Sequence, residues 1–282
     1  MRALLAAVSL LPALAASAPP AGRPAERITL VACAPGYPGS TAEAQPSMDA
    51  LAAALARTAG WKPGALAAVY EPTEKEGLER LARADAAVAL VPLPFFLEHA
   101  GKLRLTARLQ VEQPGGLTEV WSLVARKGRV ASPAALAGFT VASIAGYAPG
   151  FVRGAPGAWG RIPEGVRVAE TSQVLSALRR AAAGEDVAVL LDGAQGAALP
   201  TLPFAADLEV VARSAPLPAA LVTTVGSRLP AARWRQLEQA FAAVPSDPEG
   251  AAALAGVRMV RFAPVDAAAL ATARRLAAGP SR

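Results

Sequence analysis

Residues 72–91 read PTEKEGLERLARADAAVALV, and residues 170–191 read ETSQVLSALRRAAAGEDVAVLL. In each stretch a hydroxyl side chain precedes a helical run, an acidic turn ends that run, and an apolar strand comes next. Because two matched units suggest two matched lobes, we expect each lobe to direct one helix N-terminus toward a shared cleft. Helix N-termini carry free N–H donors and partial positive charge, so this arrangement favours a polar or anionic solute.

Strands and helices alternate along the rest of the chain. Apolar runs at residues 28–34, 65–70, 86–91 and 139–144 are separated by helical patterns, which indicates right-handed crossovers and open α/β sheets. Ligands bind such sheets at the carboxyl ends of the strands. The candidate ligand-binding residues near those ends are Tyr37, Thr73, Phe95, Ser143, Tyr147, Thr171 and Ser172.

The same strand ends divide the chain into two lobes. The candidate positions fall on either side of residue 118, and long helices with core strands resume after residue 221. We therefore predict a first lobe from residues 27–118 plus 222–282 and a second lobe from residues 119–221. Two crossings between lobes make a hinge of two strands.

Structural roles compete with binding roles at several candidate positions. Thr73, Thr171 and Ser172 can cap helices without any ligand, and Thr73 with Glu76 matches a capping box. Phe95 fits a core position slightly better than a pocket wall.

Three further features are left with two readings each. Tyr37 and Tyr147 lie in Gly/Pro turns, where aromatic residues more often cover a cleft than fill a core. Asp192 comes directly after a strand and is read as a turn residue, with contact to a ligand ammonium group as the alternative. Arg153 and Arg161 either face solvent or supply charge to an anion.

The N-terminus has the pattern of a secretory signal. Residues 1–18 place one arginine before an apolar run that ends in small residues, and residues 19–26 read as a short leader. The pattern predicts export to the periplasm. Residues 30–33, which end in Cys33, superficially match a lipoprotein box, but Glu26 and Arg27 interrupt the apolar run, so anchoring at Cys33 is not expected.

Composition narrows the class of protein. The chain has 282 residues, 53% of them hydrophobic, and a net charge of +6 carried by scattered arginines. Without a basic stripe, a nucleic-acid partner is not expected. With one cysteine, Cys33, and one histidine, His99, we predict no disulfide, no metal site and no cofactor. His99 is read as an ordinary, partly exposed residue.

Several short motifs occur in a familiar order. They are Gly36-Tyr37-Pro38, the Pro72-Thr73 unit, residues 132–138 (SPAALAG), residues 143–147 (SIAGY), residues 172–178 (SQVLSAL) and residues 262–266 (FAPVD). Together they resemble the phosphate/phosphite/phosphonate type of periplasmic binding protein that serves ABC importers. The resemblance spans residues 27–275 approximately. It implies a two-lobed type II periplasmic-binding-protein fold with a mixed sheet in each lobe, closing on a small, phosphonate-like solute.

The chain departs from that family at two places. The family has Ser-Thr-Ser-Gly-Tyr where this chain has Ser143, Ile144, Ala145, Gly146 and Tyr147, so two hydroxyl donors are missing. The family often has Ser-His where this chain has Ser-Gln at residues 172–173. Hydrogen bonds to charged groups contribute about 1.5–3 kcal/mol each, so fewer donors weaken oxyanion binding.

The sequence supports three functional hypotheses. The first is a monomeric solute receptor that closes on its ligand and is read by an ABC permease or a membrane sensor. The second is a solute-free envelope sensor or accessory protein, motivated by the missing hydroxyls. The third is a cleft enzyme with Cys33 as nucleophile, although no histidine is positioned by sequence to activate it. The expectation is a protein that is not an enzyme.

Overall fold

The computed structural model describes residues 27–37 and 39–279, so the predicted signal peptide and leader lie outside the described residues. The chain first forms strands and helices that alternate up to residue 119. These are β1 (Ile28–Cys33), α1 (Thr41–Thr58), β2 (Leu66–Glu71), α2 (Glu74–Ala82), β3 (Ala86–Pro92), α3 (Leu93–Leu103), β4 (Leu105–Glu112) and β5 (Thr118–Glu119).

The middle of the chain builds a second set of elements. These are β6 (Ser122–Arg126), β7 (Thr140–Ser143), α4 (Pro149–Gly154), β8 (Arg167–Glu170), α5 (Val174–Ala183), β9 (Val187–Leu191), α6 (Gly193–Ala198), β10 (Leu208–Arg213) and β11 (Leu217–Pro218). The last part contains β12 (Ala220–Val225), α7 (Ala231–Ala243), α8 (Pro248–Gly256), β13 (Arg261–Pro264) and α9 (Ala267–Ala278).

The strands form two mixed sheets, as predicted. The first lobe is built on a six-stranded sheet in the order β13-β4-β12-β3-β1-β2, and the second lobe on a five-stranded sheet in the order β10-β6-β9-β7-β8. In each sheet three neighbouring strands run parallel (β3-β1-β2 and β9-β7-β8), and an antiparallel strand pairs beside them. The two lobes therefore share one local topology.

A third, two-stranded sheet lies where the chain crosses between the lobes. β5 pairs antiparallel with β11, with Glu119 opposite Leu217 and Thr118 opposite Pro218. This ladder joins the outgoing and returning segments, as expected of a two-strand hinge.

The C-terminal helix α9 contacts the second lobe. α9 packs against α4 of the second lobe, so closely that an added Cβ at Gly154 would lie 1.9 Å from the Leu276 carbonyl oxygen. Arg161 donates a hydrogen bond to the same carbonyl oxygen over 2.8 Å. α9 also contacts α3 of the first lobe, so this helix touches both lobes.

One apolar core continues from lobe to lobe. It contains Val31 and Phe95 from the first lobe, Phe151 and Leu190 from the second, and Trp121 beside the hinge. Trp121 and Phe151 meet edge to face with ring centroids 5.0 Å apart. Burial of this continuous surface favours close contact between the lobes.

None of the described helices is both long enough and apolar enough to cross a membrane.

Candidate ligand-binding cleft

A cleft of about 530 Å³ lies between the two lobes. Its lining residues come from both of them: Gly36, Tyr37, Pro72, Thr73, Glu170, Thr171 and Ser172. The volume falls within the range of roughly 300–1,000 Å³ that small-molecule sites occupy. Four of the seven predicted ligand-binding residues therefore line one cavity.

Strand register explains why these residues meet. In the parallel pair β1 and β2, Cys33 lies opposite Glu71, which places the turn after β1 beside Pro72 and Thr73. In the parallel pair β7 and β8, Ser143 lies opposite Glu170. The carboxyl ends of both pairs face the cleft, in agreement with the general rule for open α/β sheets.

Thr73 caps α2, although not through the predicted capping box. Its Oγ1 accepts from the Glu76 N–H over 3.2 Å and donates to the Glu76 carboxylate over 2.7 Å. The Glu76 side chain therefore binds the cap hydroxyl rather than the Thr73 backbone N–H. Thr73 is exposed on the cleft wall, although its hydroxyl already donates one hydrogen bond and accepts another.

The second unit begins differently. Gln173 is the N-cap of α5 and makes no side-chain cap hydrogen bond, so the predicted hydroxyl cap is wrong at this helix. Thr171 Oγ1 accepts from the Gln173 N–H over 3.0 Å, which closes a turn ahead of the helix. Ser172 is exposed on the cleft wall.

The other three predicted binding residues do not line the cleft. Phe95 has no exposed surface and stacks near His99, with ring centroids 4.7 Å apart. Ser143 is also fully buried, where its hydroxyl donates to the Leu190 carbonyl over 2.9 Å and accepts from the Ala145 N–H over 3.1 Å. The predicted direct contact is corrected for both, because their side chains are committed to the core.

Tyr147 also lies behind the cleft lining. Its ring is half-buried and lies 6.3 Å from the Phe95 ring, measured between centroids, so it packs across the lobe interface. Burial raises the pKa of its hydroxyl well above the usual range, and nearby negative groups add to the rise.

The lobes touch at a glycine. Gly36 has φ +80°, a conformation that favours glycine, and an added Cβ would lie 2.9 Å from the Ile144 Cβ. Ile144 is 2% exposed. One of the residues that replaces a family hydroxyl therefore serves as an apolar contact between the lobes.

A buried acidic group lies beside the cleft where the lobes and the hinge meet. The Tyr37 hydroxyl donates to the Asp192 carboxylate, which also accepts from the Gln195 N–H over 2.7 Å. Glu119 of β5 accepts from the Gly193 N–H over 3.0 Å. Burial raises the pKa of Glu119 to about 8, and the charge of Asp192 adds to the rise. Burial likewise raises the pKa of Asp192, which is 2% exposed.

Sequence reasoning missed Glu119 and Glu170. Glu119 belongs to a two-residue strand, which is too short to show a periodicity. Glu170 starts the second unit, and its place at the carboxyl end of β8 is the signal that could have found it. Burial and then the charge of Glu74 raise the pKa of Glu170.

Arg153 and Arg161, for which the sequence allowed either exposure to solvent or contact with an anion, bind backbone carbonyl groups outside the cleft. Arg153 donates to the Pro163 and Val166 carbonyl oxygens, and Arg161 to that of Leu276. His99 is buried, contrary to prediction, with its Nε2 2.8 Å from a Glu74 carboxylate oxygen. These groups hold loops and helices in place rather than lining the cavity.

Cys33 is poorly suited to nucleophilic chemistry. Its side chain is fully buried beneath α2, and its thiol donates a weak hydrogen bond to the Thr73 carbonyl oxygen over 3.7 Å. Burial, with the charges of Glu71, Glu74 and Glu76, raises the pKa of the thiol far above its usual value. Because the thiolate is the reactive form, the geometry opposes the hypothesis of a Cys33 enzyme.

Several solved protein structures superpose on most of this chain. The protein XAC2383 from Xanthomonas citri, bound to chloride, superposes with a TM-score of 0.68 at 18% identity, covering 89% of this chain and 96% of that one. A binding protein component of an ABC phosphonate transporter from Pseudomonas aeruginosa gives 0.60 at 14% identity, with coverages of 88% and 85%.

A third similar structure is PhnD1 from Prochlorococcus marinus in complex with methylphosphonate. Its TM-score is 0.57 at 10% identity, and the match covers 88% of this chain and 95% of that one. The chain has the fold of a two-lobed periplasmic binding protein. No family model and no curated protein matches it, so the likeness establishes the fold alone.

Proposed function

We propose that this protein is an exported solute-binding protein that captures a small molecule between its two lobes for an ABC importer. The observation that carries the proposal is the cleft itself, because its walls come from both lobes on either side of the β5-β11 hinge. A ligand that contacts both walls stabilises the closed form over any open one, and that difference is what a permease can read. Periplasmic location and a monomeric state are parts of the same proposal.

A thermal-shift screen tests this function directly. The purified protein is heated with phosphate, methylphosphonate, sulfonates, organic acids, amino acids and amines. A ligand present at 100 times its Kd stabilises the folded state by about 2.7 kcal/mol. For a protein of this size such a gain raises Tm by about 5–10 °C.

A pair of variants separates cleft binding from binding elsewhere. Ser172→Trp fills the cleft from an exposed position, and Ser176→Trp places the same ring on an exposed position of α5 that does not line it. The shift is expected to disappear in Ser172→Trp and to persist in Ser176→Trp. A panel without any shift, or a shift that survives in Ser172→Trp, would contradict solute binding in this cleft.

The alternative function is a solute-free sensor or accessory protein of the envelope. It is favoured by the contact between Gly36 and Ile144 and by the apolar core that runs through both lobes, since these close the interface without a ligand. Small-angle scattering distinguishes the two functions. A receptor becomes more compact when its ligand is added, whereas a solute-free protein keeps one radius of gyration throughout the panel.

A further inference from the structure

Resting on the solute-binding function proposed above, we propose that Glu170 makes the cleft selective for solutes that carry an ammonium or guanidinium group. Glu170 ends β8 on the second-lobe wall, next to Thr171 and Ser172. It is exposed, and its carboxylate has no ion-pair partner among the described residues. It is therefore a charged group on the cavity wall that a ligand can meet.

The facing helix does not supply the positive charge that an anion requires. The N-terminus of α2 carries the equivalent of about half a positive charge, but Glu74 and Glu76 lie in its first turn. Glu76 is bound to the Thr73 hydroxyl, and that hydroxyl also takes up the Glu76 N–H. With Lys75 between the two glutamates, this turn carries a net charge of −1, which still exceeds the partial positive charge of the helix end.

Charge near the cleft is negative on both sides. Glu74 does not line the cavity and lies 2.8 Å from His99 Nε2, but its charge adds to the effect of burial in raising the pKa of Glu170. Among the described residues that line the cleft, none is lysine, arginine or histidine. An oxyanion held here would face Glu170 without an opposing side-chain charge, whereas a cation would pair with the Glu170 carboxylate.

The remaining lining groups also suit a cation. Carboxylates accept charge-assisted hydrogen bonds, and a guanidinium group can bind one through two parallel bonds. Tyr37 also lines the cleft, and tyrosine rings attract ammonium and guanidinium groups that approach their faces. Glu170 is thus the residue that sets the sign of the preferred charge.

The test uses matched probes that differ in charge and little in shape. Isothermal titration of the whole protein compares putrescine with 1,4-butanediol, and butylguanidinium with butylurea, with methylphosphonate as the anionic probe. The cationic member of each pair is expected to bind at least tenfold more tightly. Glu170→Gln should weaken the binding of the cationic probes about tenfold. It should change the affinity of the neutral probes less than twofold. Glu238→Gln, on an exposed position of α7, is the matched control and should change neither.

Each result has a defined meaning. Methylphosphonate binding as tightly as the cations, or Glu170→Gln leaving the cation preference intact, overturns the role of Glu170 but leaves the proposed solute-binding function standing. If no probe in this set and none in the wider screen binds, both proposals fail together. Unchanged Tm and circular dichroism of ligand-free Glu170→Gln show that any loss of affinity is not a loss of fold.

Discussion

The two units that face the cleft, β2-α2-β3 and β8-α5-β9, have the same order of elements but different chemistry at each equivalent point. α2 begins with a hydroxyl cap and has two glutamates in its first turn. The N-cap of α5 is Gln173, whose side chain makes no capping hydrogen bond. β3 ends in Pro92 and leads directly into buried α3, whereas β9 leads into buried Asp192. Shared topology therefore places both units at the cleft, and individual side chains decide what each contributes.

The largest expected effect concerns two carboxyl groups, half-buried Glu119 of β5 and buried Asp192 at the end of the second unit. The folded-state pKa of Glu119, about 8, is above the ordinary 4.5, so the folded protein binds more protons than the unfolded chain between these values. Stability is then fully present below pH 4.5 and falls as pH rises toward 8. The slope from this group reaches at most about 1.4 kcal/mol per pH unit.

Urea unfolding at a series of pH values checks this prediction. Glu119→Gln keeps the acceptor for the Gly193 N–H but cannot ionise, so its stability should depend less on pH and exceed that of the wild type near pH 9. Glu79→Gln, on an exposed position of α2, serves as the control and should match the wild-type profile. Parallel profiles for wild type and Glu119→Gln would show that Glu119 does not titrate as inferred.

The second-largest expected effect is a loss of folding stability when the packing of α2 on its sheet is changed. α2 presents Gly77 to Cys33 of β1, and an added Cβ would lie 2.0 Å from the sulfur. α5 instead buries Ala177, Leu178 and Ala181. Gly77→Ala gains about 1 kcal/mol of helix propensity but incurs overpacking of about 1–3 kcal/mol, so we expect a net loss of up to about 2 kcal/mol.

A double variant identifies the cause of that loss. In Cys33→Ala the sulfur is gone and only the contact of 2.9 Å with the Cβ of residue 33 remains, so adding Gly77→Ala should cost less than it does in the wild type, as measured by urea unfolding. Ser176→Ala on the exposed side of α5 is expected to change stability by less than 0.5 kcal/mol in magnitude, roughly the norm for surface positions. A Gly77→Ala protein more stable than the wild type would mean that α2 moves freely away from β1.

Sequence reasoning succeeded where one local rule determines a position. Strand alternation and the two crossings gave both mixed sheets and the strand ends at which Tyr37, Thr73, Thr171 and Ser172 come together. It failed at Phe95 and Ser143, because a shift of one residue past a strand end decides whether a side chain enters the cleft or the core.

The charge of the cleft could also not be predicted from local sequence patterns. Helix N-termini alone favour a polar or anionic ligand, but the charge at a cavity is the sum over residues far apart in the chain. Glu74 and Glu170 are 96 positions apart and interact only because β1-β2 and β7-β8 point their carboxyl ends at the same space.

The smallest expected effect is the difference between the losses of stability caused by Thr73→Ala and by Thr171→Ala. Thr73→Ala removes the N-cap of α2 and should cost about 1 kcal/mol. Thr171→Ala removes one turn hydrogen bond ahead of a helix whose N-cap is another residue, so we expect about half that cost. Urea unfolding of both variants, with Thr73→Ser and Thr171→Ser as hydroxyl-retaining controls, measures the difference. Equal losses at the two positions would mean that the hydroxyls stabilise both helices alike, and the contrast between the two cleft-facing units would then rest on their carboxylates rather than on their caps.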